Sequence, residues 1–185
     1  MKTIRLNIEV EKPFGNLFRK ACVLVAVYDD EGKLLLGEKP HFYPPTITRL
    51  LGGGMDTGEN PRHAAVRELA EELGVTVVAH DLKEIASFSI KAVDNEGSTY
   101  NNTTYLLSAH IGDKKYNAGD DVKFISRFDK SDLKALVDSY NNLSKTLWYK
   151  GNEGEFSWHD YAQAYAPIHE EVLNDWEMSD DESKS

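Results

Sequence analysis

The sequence predicts a single α/β or α+β domain in which a mixed β-sheet is sandwiched between helices. Two β-hairpin patterns, at residues 21–38 and 82–111, flank a strongly marked helix at 61–73. Amphipathic helices follow towards the C-terminus. A chain of 185 residues can bury the core of one such domain without disulfide or zinc support.

The first half of the chain gives the clearest strand signals. Residues 3–10 (TIRLNIEV) alternate apolar and polar side chains, which is typical of a half-buried strand. The hairpin at 21–38 turns at DDEG. Residues 40–48 (PHFYPPTIT) are rich in proline and aromatic residues, which favours a loop that leads into the glycines at 52–54.

The second half turns from strands to helices. The hairpin at 82–111 turns at DNEG, and DVKFISRF (121–128) is a shorter strand pattern. Residues 130–147 and 157–177 read as helices, with Ser131 and Ser157 as their N-caps.

The domain is expected to span residues 1–178, with a helical extension from about residue 146. Pro167 is expected to kink or interrupt the last helix. The acidic residues 179–185 have nothing to bury and are predicted to be a disordered tail. The apolar stripe of that helix includes Trp158, Tyr161, Tyr165 and Trp176, which either forms a homodimer interface or caps the core.

The formal charge of −10 is uneven, because residues 155–185 hold nine acidic residues and one lysine. No basic stripe is present, so a long nucleic acid and an anionic membrane are both excluded as expected partners. The N-terminus lacks the pattern of a signal peptide, and no apolar run is long enough to span a bilayer. The lone Cys22 cannot form an intramolecular disulfide, so we expect a cytoplasmic protein.

The helix at 61–73 has well-defined ends. Asn60 suits the N-cap, Pro61 the first helical position, and Gly74 the left-handed position after the last turn. At about 100° per residue, Glu68, Glu71 and Glu72 share one face beside an apolar stripe. The stripe is expected to pack on the sheet.

The clustered glutamates are unfavourable by themselves. Like charges at these spacings repel, and the helix dipole disfavours acidic residues near the C-terminus. A hard cation such as Mg²⁺ would relieve both effects, since it prefers carboxylate and carbonyl oxygens. Spacing alone leaves a solvated acidic face as the alternative.

Residues 53–75 (GGMDTGENPRHAAVRELAEELGV) also resemble the Nudix box, G-x5-E-x7-R-E-U-x-E-E-x-G-U, where U is aliphatic. All nine specified positions are filled. These positions are Gly53, Glu59, Arg67, Glu68, Leu69, Glu71, Glu72, Gly74 and Val75. The resemblance implies a Nudix fold and a hydrolase that cuts the pyrophosphate of a nucleoside diphosphate linked to another group, with Mg²⁺ or Mn²⁺ as cofactor.

The resemblance also implies roles for the box residues. Glu71 and Glu72 would bind the metal together with the backbone carbonyl of Gly52, and Glu72 would be central to catalysis. Glu68 would be a further ligand or the general base. Arg67 would orient the carboxylates. Glu59, like Gly53 and Gly74, would support the structure of the box.

Residues outside the box give weaker candidates. Asp121, beside Asp120, is either an additional metal ligand or part of a solvated turn. Arg49 is a candidate contact for a substrate phosphate. Phe42 and Tyr43 either stack on a nucleotide base or pack against the sheet. The implied partner is a small nucleotide-type pyrophosphate, whose identity the sequence does not give.

Two other functions remain open at this point. A non-catalytic Nudix-fold module would sense a nucleotide or bind a protein. An isopentenyl diphosphate isomerase-like enzyme shares the fold but relies on a catalytic cysteine, for which only Cys22 is available.

Overall fold

A computed structural model describes all residues, 1–185. The strands are β1 (Lys2–Glu9), β2 (Ala21–Asp29), β3 (Leu34–Glu38), β4 (Arg49–Gly54), β5 (Lys83–Val93), β6 (Thr99–Gly112), β7 (Phe124–Phe128), β8 (Trp148–Gly151) and β9 (Gly154–Ser157). The helices are α1 (Pro61–Leu73), α2 (Lys130–Asn141) and α3 (Trp158–Lys184), with short 3-10 segments at Gly15–Phe18 and Ala79–Asp81.

Seven strands form one mixed sheet in the order β1-β5-β6-β2-β4-β3-β7. The pairs β1/β5 and β2/β6 are parallel. The other neighbours are antiparallel, including the two predicted hairpins β2/β3 and β5/β6. Strands β8 and β9 form a separate hairpin.

The central strand β2 is buried on both sides. Leu24, Ala26 and Tyr28 face a core shared with α2 and α3. Val23, Val25 and Val27 face a second core that holds the apolar stripe of α1. The sheet therefore lies between helices, as the predicted fold class requires.

The aromatic stripe of α3 lies inside the first core. Trp158, Tyr161 and Tyr165 are all buried, and Trp176 packs partly buried against the same core. The sequence left open whether these side chains form a dimer interface or cap the core. In the structure the first three cap the core. No helix has both the length and the apolar character needed to cross a bilayer.

The predicted helix at 130–147 needs two corrections. Its N-cap is Asp129, and Ser131 lies within the first turn. The Asp129 carboxylate accepts from the backbone N–H of Asp132, and the Asp132 carboxylate accepts from that of Asp129, which completes a capping box. The helix ends at Asn141, where Asn142 leaves helical geometry.

The C-terminal helix also differs from its prediction. It continues through Pro167, because a single missing N–H removes one bond from a helix whose other side is packed into the core. It extends to Lys184, so the tail predicted to be disordered is helical. Lys130 contacts Asp180 and thereby ties this end to α2.

Candidate active site

A cavity of about 470 Å³ opens beside β4 and α1. Its lining brings together nearly all residues that the sequence singled out. The lining residues among them are Phe42, Tyr43, Arg49, Gly52, Gly53, Arg67, Glu68, Glu71, Glu72, Asp120 and Asp121. Four box residues do not line it, namely Glu59, Leu69, Gly74 and Val75.

The glycine run of β4 forms one wall. Gly52 has a φ of 135°, which only glycine adopts without strain. A Cβ at this position would also collide with the Val23 carbonyl oxygen and approach Leu24 Cα to 2.9 Å. The backbone N–H of Gly52 donates to Glu72 Oε2 at 2.7 Å. Close approach of β4 to β2 thus places a bare main-chain segment against the α1 glutamates.

Helix α1 begins and ends where predicted. The Asn60 side chain accepts from His63 N, and Gly74 adopts φ 66° while its N–H bonds back to the last turn. Glu68 and Glu72 are 7% and 5% exposed, although both are acidic. The Glu71 side chain is more open, at 43%.

Burial changes the acidity of the two inner glutamates. It raises the pKa of Glu72 to about 7, and the nearby Arg49 and the Gly52 N–H oppose this only in part. Burial also raises the pKa of Glu68, against the effect of Arg67. The surrounding protein therefore offsets only part of the cost of burying a negative charge on Glu68 and Glu72.

Arg67 organises the box. Its Nε and Nη2 bind the two oxygens of Glu59 at 2.9 and 3.0 Å. Nη1 donates to Glu68 at 3.0 Å and, less closely, to Glu71 at 3.4 Å. Nη2 also donates to the Gly54 carbonyl at 2.9 Å. One guanidinium therefore fixes α1, the preceding loop and β4 relative to one another.

Glu59 and Gly53 serve this arrangement from either side of Arg67. Glu59 also accepts from the Asp56 N–H at 2.9 Å, and its bonds to Arg67 lower the pKa of its carboxyl. A Cβ at Gly53 would lie 2.7 Å from Glu68 Oε1. The glycine thus makes room for the Glu68 carboxylate.

The loop before β7 reaches the cavity by capping α1. Gly119 N–H donates to the Glu72 carbonyl at 2.9 Å, and Asn117 N–H donates to the Leu73 carbonyl at 3.0 Å. These bonds carry Asp120 and Asp121 to the rim. Asp121 pairs with Lys39 at 2.7 Å, and its side chain is 61% exposed.

Arg49 lies where β4 meets α3. Its Nη2 donates to the Gly52 carbonyl at 3.1 Å, and Nη1 is 3.5 Å from the hydroxyls of Tyr161 and Tyr165. The guanidinium also lies over the Tyr165 ring at 5.5 Å. No carboxylate pairs with it.

Phe42 and Tyr43 line the cavity and also belong to an aromatic cluster. Phe42 packs edge-to-face on Tyr43, Phe156 and Trp158. Tyr43 is only 6% exposed. Packing accounts for both side chains, and Phe42 is the more open of the two.

The lining as a whole is acidic. Seven carboxylates face four cationic side chains there. The acids are Asp56, Glu68, Glu71, Glu72, Asp120, Asp121 and Glu153, and the cations are Arg19, Lys39, Arg49 and Arg67. An anionic ligand would need a further cation in this cavity.

Comparison with known proteins identifies the family. The NUDIX domain model matches residues 18–180. The chain belongs to the Nudix family. In this Nudix fold, residues 53–75 of the box form the end of β4, the following loop and α1.

Curated relatives match this Nudix chain over part of their length. An RNA pyrophosphohydrolase from Bartonella quintana is 41% identical over 66 residues, which are 32% of this chain and 38% of the relative. An ADP-ribose pyrophosphatase from Bacillus subtilis is 35% identical over 97 residues, 47% of this chain and 50% of the relative. The chain thus spans half or less of the length of these two relatives.

A solved structure supports the same fold. The crystal structure of DR0079 from Deinococcus radiodurans aligns with 69% of this Nudix chain and 77% of its own, at 20% identity and a TM-score of 0.50. At that identity the likeness concerns the fold alone.

Several lining residues of the Nudix site carry no sequence signal. Asn16 and Arg19 come from the 3-10 segment before β2 and the residue that caps it, and Glu153 and Phe156 from the unpredicted β8/β9 hairpin. Tyr161 was assigned only to the apolar stripe of α3. No motif connects these positions to the box, and only the tertiary fold brings them to it.

Proposed function

We propose that this protein hydrolyses a pyrophosphate bond in a nucleoside diphosphate linked to another group, with Mg²⁺ or Mn²⁺ as cofactor. The observation that carries the proposal is the buried pair Glu68 and Glu72 beside the bare main chain of Gly52. The printed names of the two curated relatives, both pyrophosphate-cleaving enzymes, agree with it.

The residues present suit a magnesium-type ion. No three carboxylate, histidine or cysteine side chains already converge as a closed metal site. Mg²⁺ fits such an open arrangement, because it keeps several waters and binds through one or two carboxylates plus substrate phosphates. We assign Glu71, Glu72 and the Gly52 carbonyl as its ligands. That carbonyl accepts from Arg49 and has a second lone pair.

The chain's own residues then divide the work. Bound metal would neutralise phosphate charge and acidify the attacking water. Glu68 either completes the ligand set or accepts the proton of that water. Arg67 holds the Glu68 carboxylate in place. Arg49 contacts a substrate phosphate, and Phe42 offers an aromatic edge to the group beyond it. Asp121 remains a candidate additional ligand.

A panel assay tests this proposal. Purified protein with Mg²⁺ is incubated with nucleoside triphosphates, nucleotide sugars and dinucleotides, and the products are identified. Glu72→Gln should lower turnover by orders of magnitude and preserve the fold, whereas Glu96→Gln, in the exposed β5/β6 turn, should leave turnover unchanged. Near-normal activity of Glu72→Gln would refute the assignment. Nucleotide binding without turnover in the native protein would favour a sensing module.

The isomerase alternative needs a catalytic cysteine in the cavity, and Cys22 does not meet this need. Cys22 is completely buried in β2, where burial raises the pKa of its thiol, and it does not line the cavity. A buried neutral thiol of this kind is inert.

A further inference from the structure

Arg19 is one of two cationic side chains of the cavity that pair with no carboxylate, and unlike Arg49 its guanidinium donates no hydrogen bond to the protein. It lines the cavity and is exposed. None of the ion pairs in the structure includes it. By contrast, Arg67 is bound by Glu59 and Lys39 by Asp121. In an acidic cavity, an arginine without a carboxylate is available to a ligand.

The backbone that carries Arg19 is held from below. Asn102 on β6 is buried, and its Nδ2 donates to the carbonyls of Asn16 and Arg19 at 3.1 and 2.9 Å. The Arg19 N–H closes the 3-10 segment by donating to the Asn16 carbonyl at 3.1 Å. The main chain at Arg19 is thus fixed to the sheet, and only the side chain extends into the cavity.

Gly54 provides the surface on which the guanidinium lies. The space that a Cβ at Gly54 would fill is taken by Arg19, whose Cδ and Cζ would both be 2.7 Å from it. The Gly54 carbonyl meanwhile accepts from Arg67. The absence of a side chain at Gly54 therefore brings Arg19 directly beside the strand that leads into the box.

Arg19 and Arg49 contact different parts of the glycine run. Arg49 donates to Gly52, and Arg19 lies against Gly54. Positions two residues apart in a strand are separated by about 7 Å. Each guanidinium can bind one phosphate through paired N–H groups, so the two arginines are placed to serve separate anionic groups.

We propose that Arg19 binds a third phosphate, beyond the two of the scissile linkage, so that the preferred substrate carries a chain of at least three phosphates. The inference rests on the proposed function, which places the two phosphates of the scissile linkage at Arg49 and at the metal that the box glutamates would hold. A neutral sugar in place of the third phosphate leaves Arg19 without a counter-charge. A nucleoside triphosphate supplies one.

Binding of inorganic triphosphate and inorganic pyrophosphate tests the proposal. Both are titrated calorimetrically into the full-length protein with Mg²⁺, and phosphate release is followed in the same samples. The native protein should bind triphosphate more tightly. Arg19→Ala should weaken triphosphate about tenfold and pyrophosphate less than twofold, a difference expected for loss of a charge-assisted contact. Arg19→Lys, which keeps the charge but loses the fork, should fall between.

Two further variants separate placement from charge. Gly54→Ala keeps Arg19 but fills the space of its guanidinium, and should reproduce the selective loss. Arg5→Ala, on the exposed side of β1, removes an equal charge far from the cavity and should change neither affinity.

Equal losses for both anions in Arg19→Ala, or no loss, would overturn the third-phosphate assignment. A native preference that survives Gly54→Ala would overturn the placement of the guanidinium. If Arg19→Ala selectively weakens triphosphate binding but the native protein releases no phosphate, the result counts against the proposed hydrolysis and not against the third-phosphate assignment.

Discussion

At the scale of single residues, Arg67 has the widest set of contacts in the site, because its fork joins Glu59, Glu68 and the Gly54 carbonyl. Lysine cannot reproduce this geometry. We expect Arg67→Lys to lower turnover by about tenfold to a hundredfold through misplaced glutamates, and stability by about 1–2 kcal/mol.

Steady-state kinetics and urea unfolding measure the two effects of Arg67→Lys. Arg5→Lys is the matched control, since Arg5 lies exposed on β1 outside the cavity. Native-like turnover in Arg67→Lys would show that the fork is not needed to orient the glutamates.

His169 should make stability depend on pH. It is fully buried, its Nε2 accepts from Leu50 N–H at 3.1 Å, and burial lowers its pKa to about 4. An unfolded histidine titrates near about 6.5, so the unfolded state binds more protons between these values. Stability from this residue is complete above about pH 6.5 and falls as the pH drops towards 4, by up to about 3 kcal/mol.

Urea unfolding at pH 7 and pH 4.5 measures this dependence. His169→Gln keeps an oxygen acceptor for Leu50 but does not titrate, so between pH 7 and pH 4.5 it should lose less stability than the native protein. The raised pKa of Glu72 acts in the opposite direction but is common to both proteins, and their difference therefore reports His169. His41→Gln, at an exposed position, should lose as much stability as the native protein. An equal loss in His169→Gln and the native protein would assign the acid sensitivity to other groups.

The sequence predicts site residues well where a motif spaces them along one helix. Glu68, Glu71 and Glu72 follow from helical geometry and the box pattern. Arg19 has no such signal, because its position depends on Asn102 and Gly54, which lie 83 and 35 residues further along the chain.

At the scale of elements, predictability follows local signals. Helix α1 has a side-chain cap, a proline and a left-handed glycine, and its bounds were correct. The strand character of β4 was missed, since glycine is unfavourable in strands and is kept here for close approach to β2. The β8/β9 hairpin was missed because its strands have four residues each.

Helix α3 should be required for folding, although its last turns should not. Removal of residues 158–185 exposes the first core and leaves Leu50 N–H without its acceptor, so we expect loss of cooperative unfolding. Removal of residues 179–185 loses mainly the contact of Lys130 with Asp180, which is partly exposed, and should cost less than about 1 kcal/mol.

Circular dichroism with thermal melts of both truncated proteins measures this difference. A cooperative melt in the protein that ends at residue 157 would show that the sheet and α1 fold without α3.

At the scale of the whole molecule, the acidic charge should make stability depend on divalent metal. A ligand that binds only the folded state stabilises it by about 1.4 kcal/mol at ten times its dissociation constant. For a chain of this size, that corresponds to a rise in Tm of about 3 to 6 °C. Glu72→Gln should lose most of this rise, because the proposed metal loses a charged ligand.

Thermal melts with Mg²⁺ and with EDTA measure this rise, and Glu96→Gln serves as the control for one lost charge. Equal shifts in Glu72→Gln and Glu96→Gln would place the metal effect outside the cavity.

The bond between His169 and Leu50 joins positions 119 residues apart. A protein is made from its N-terminus, so the box and β4 leave the ribosome long before α3 exists. Arg49 meets Tyr161 and Tyr165 only after that last helix has been synthesised and docked. A nascent chain therefore carries the box glutamates and Arg49 before Tyr161 exists, and synthesis must pass α3 before the cavity is complete.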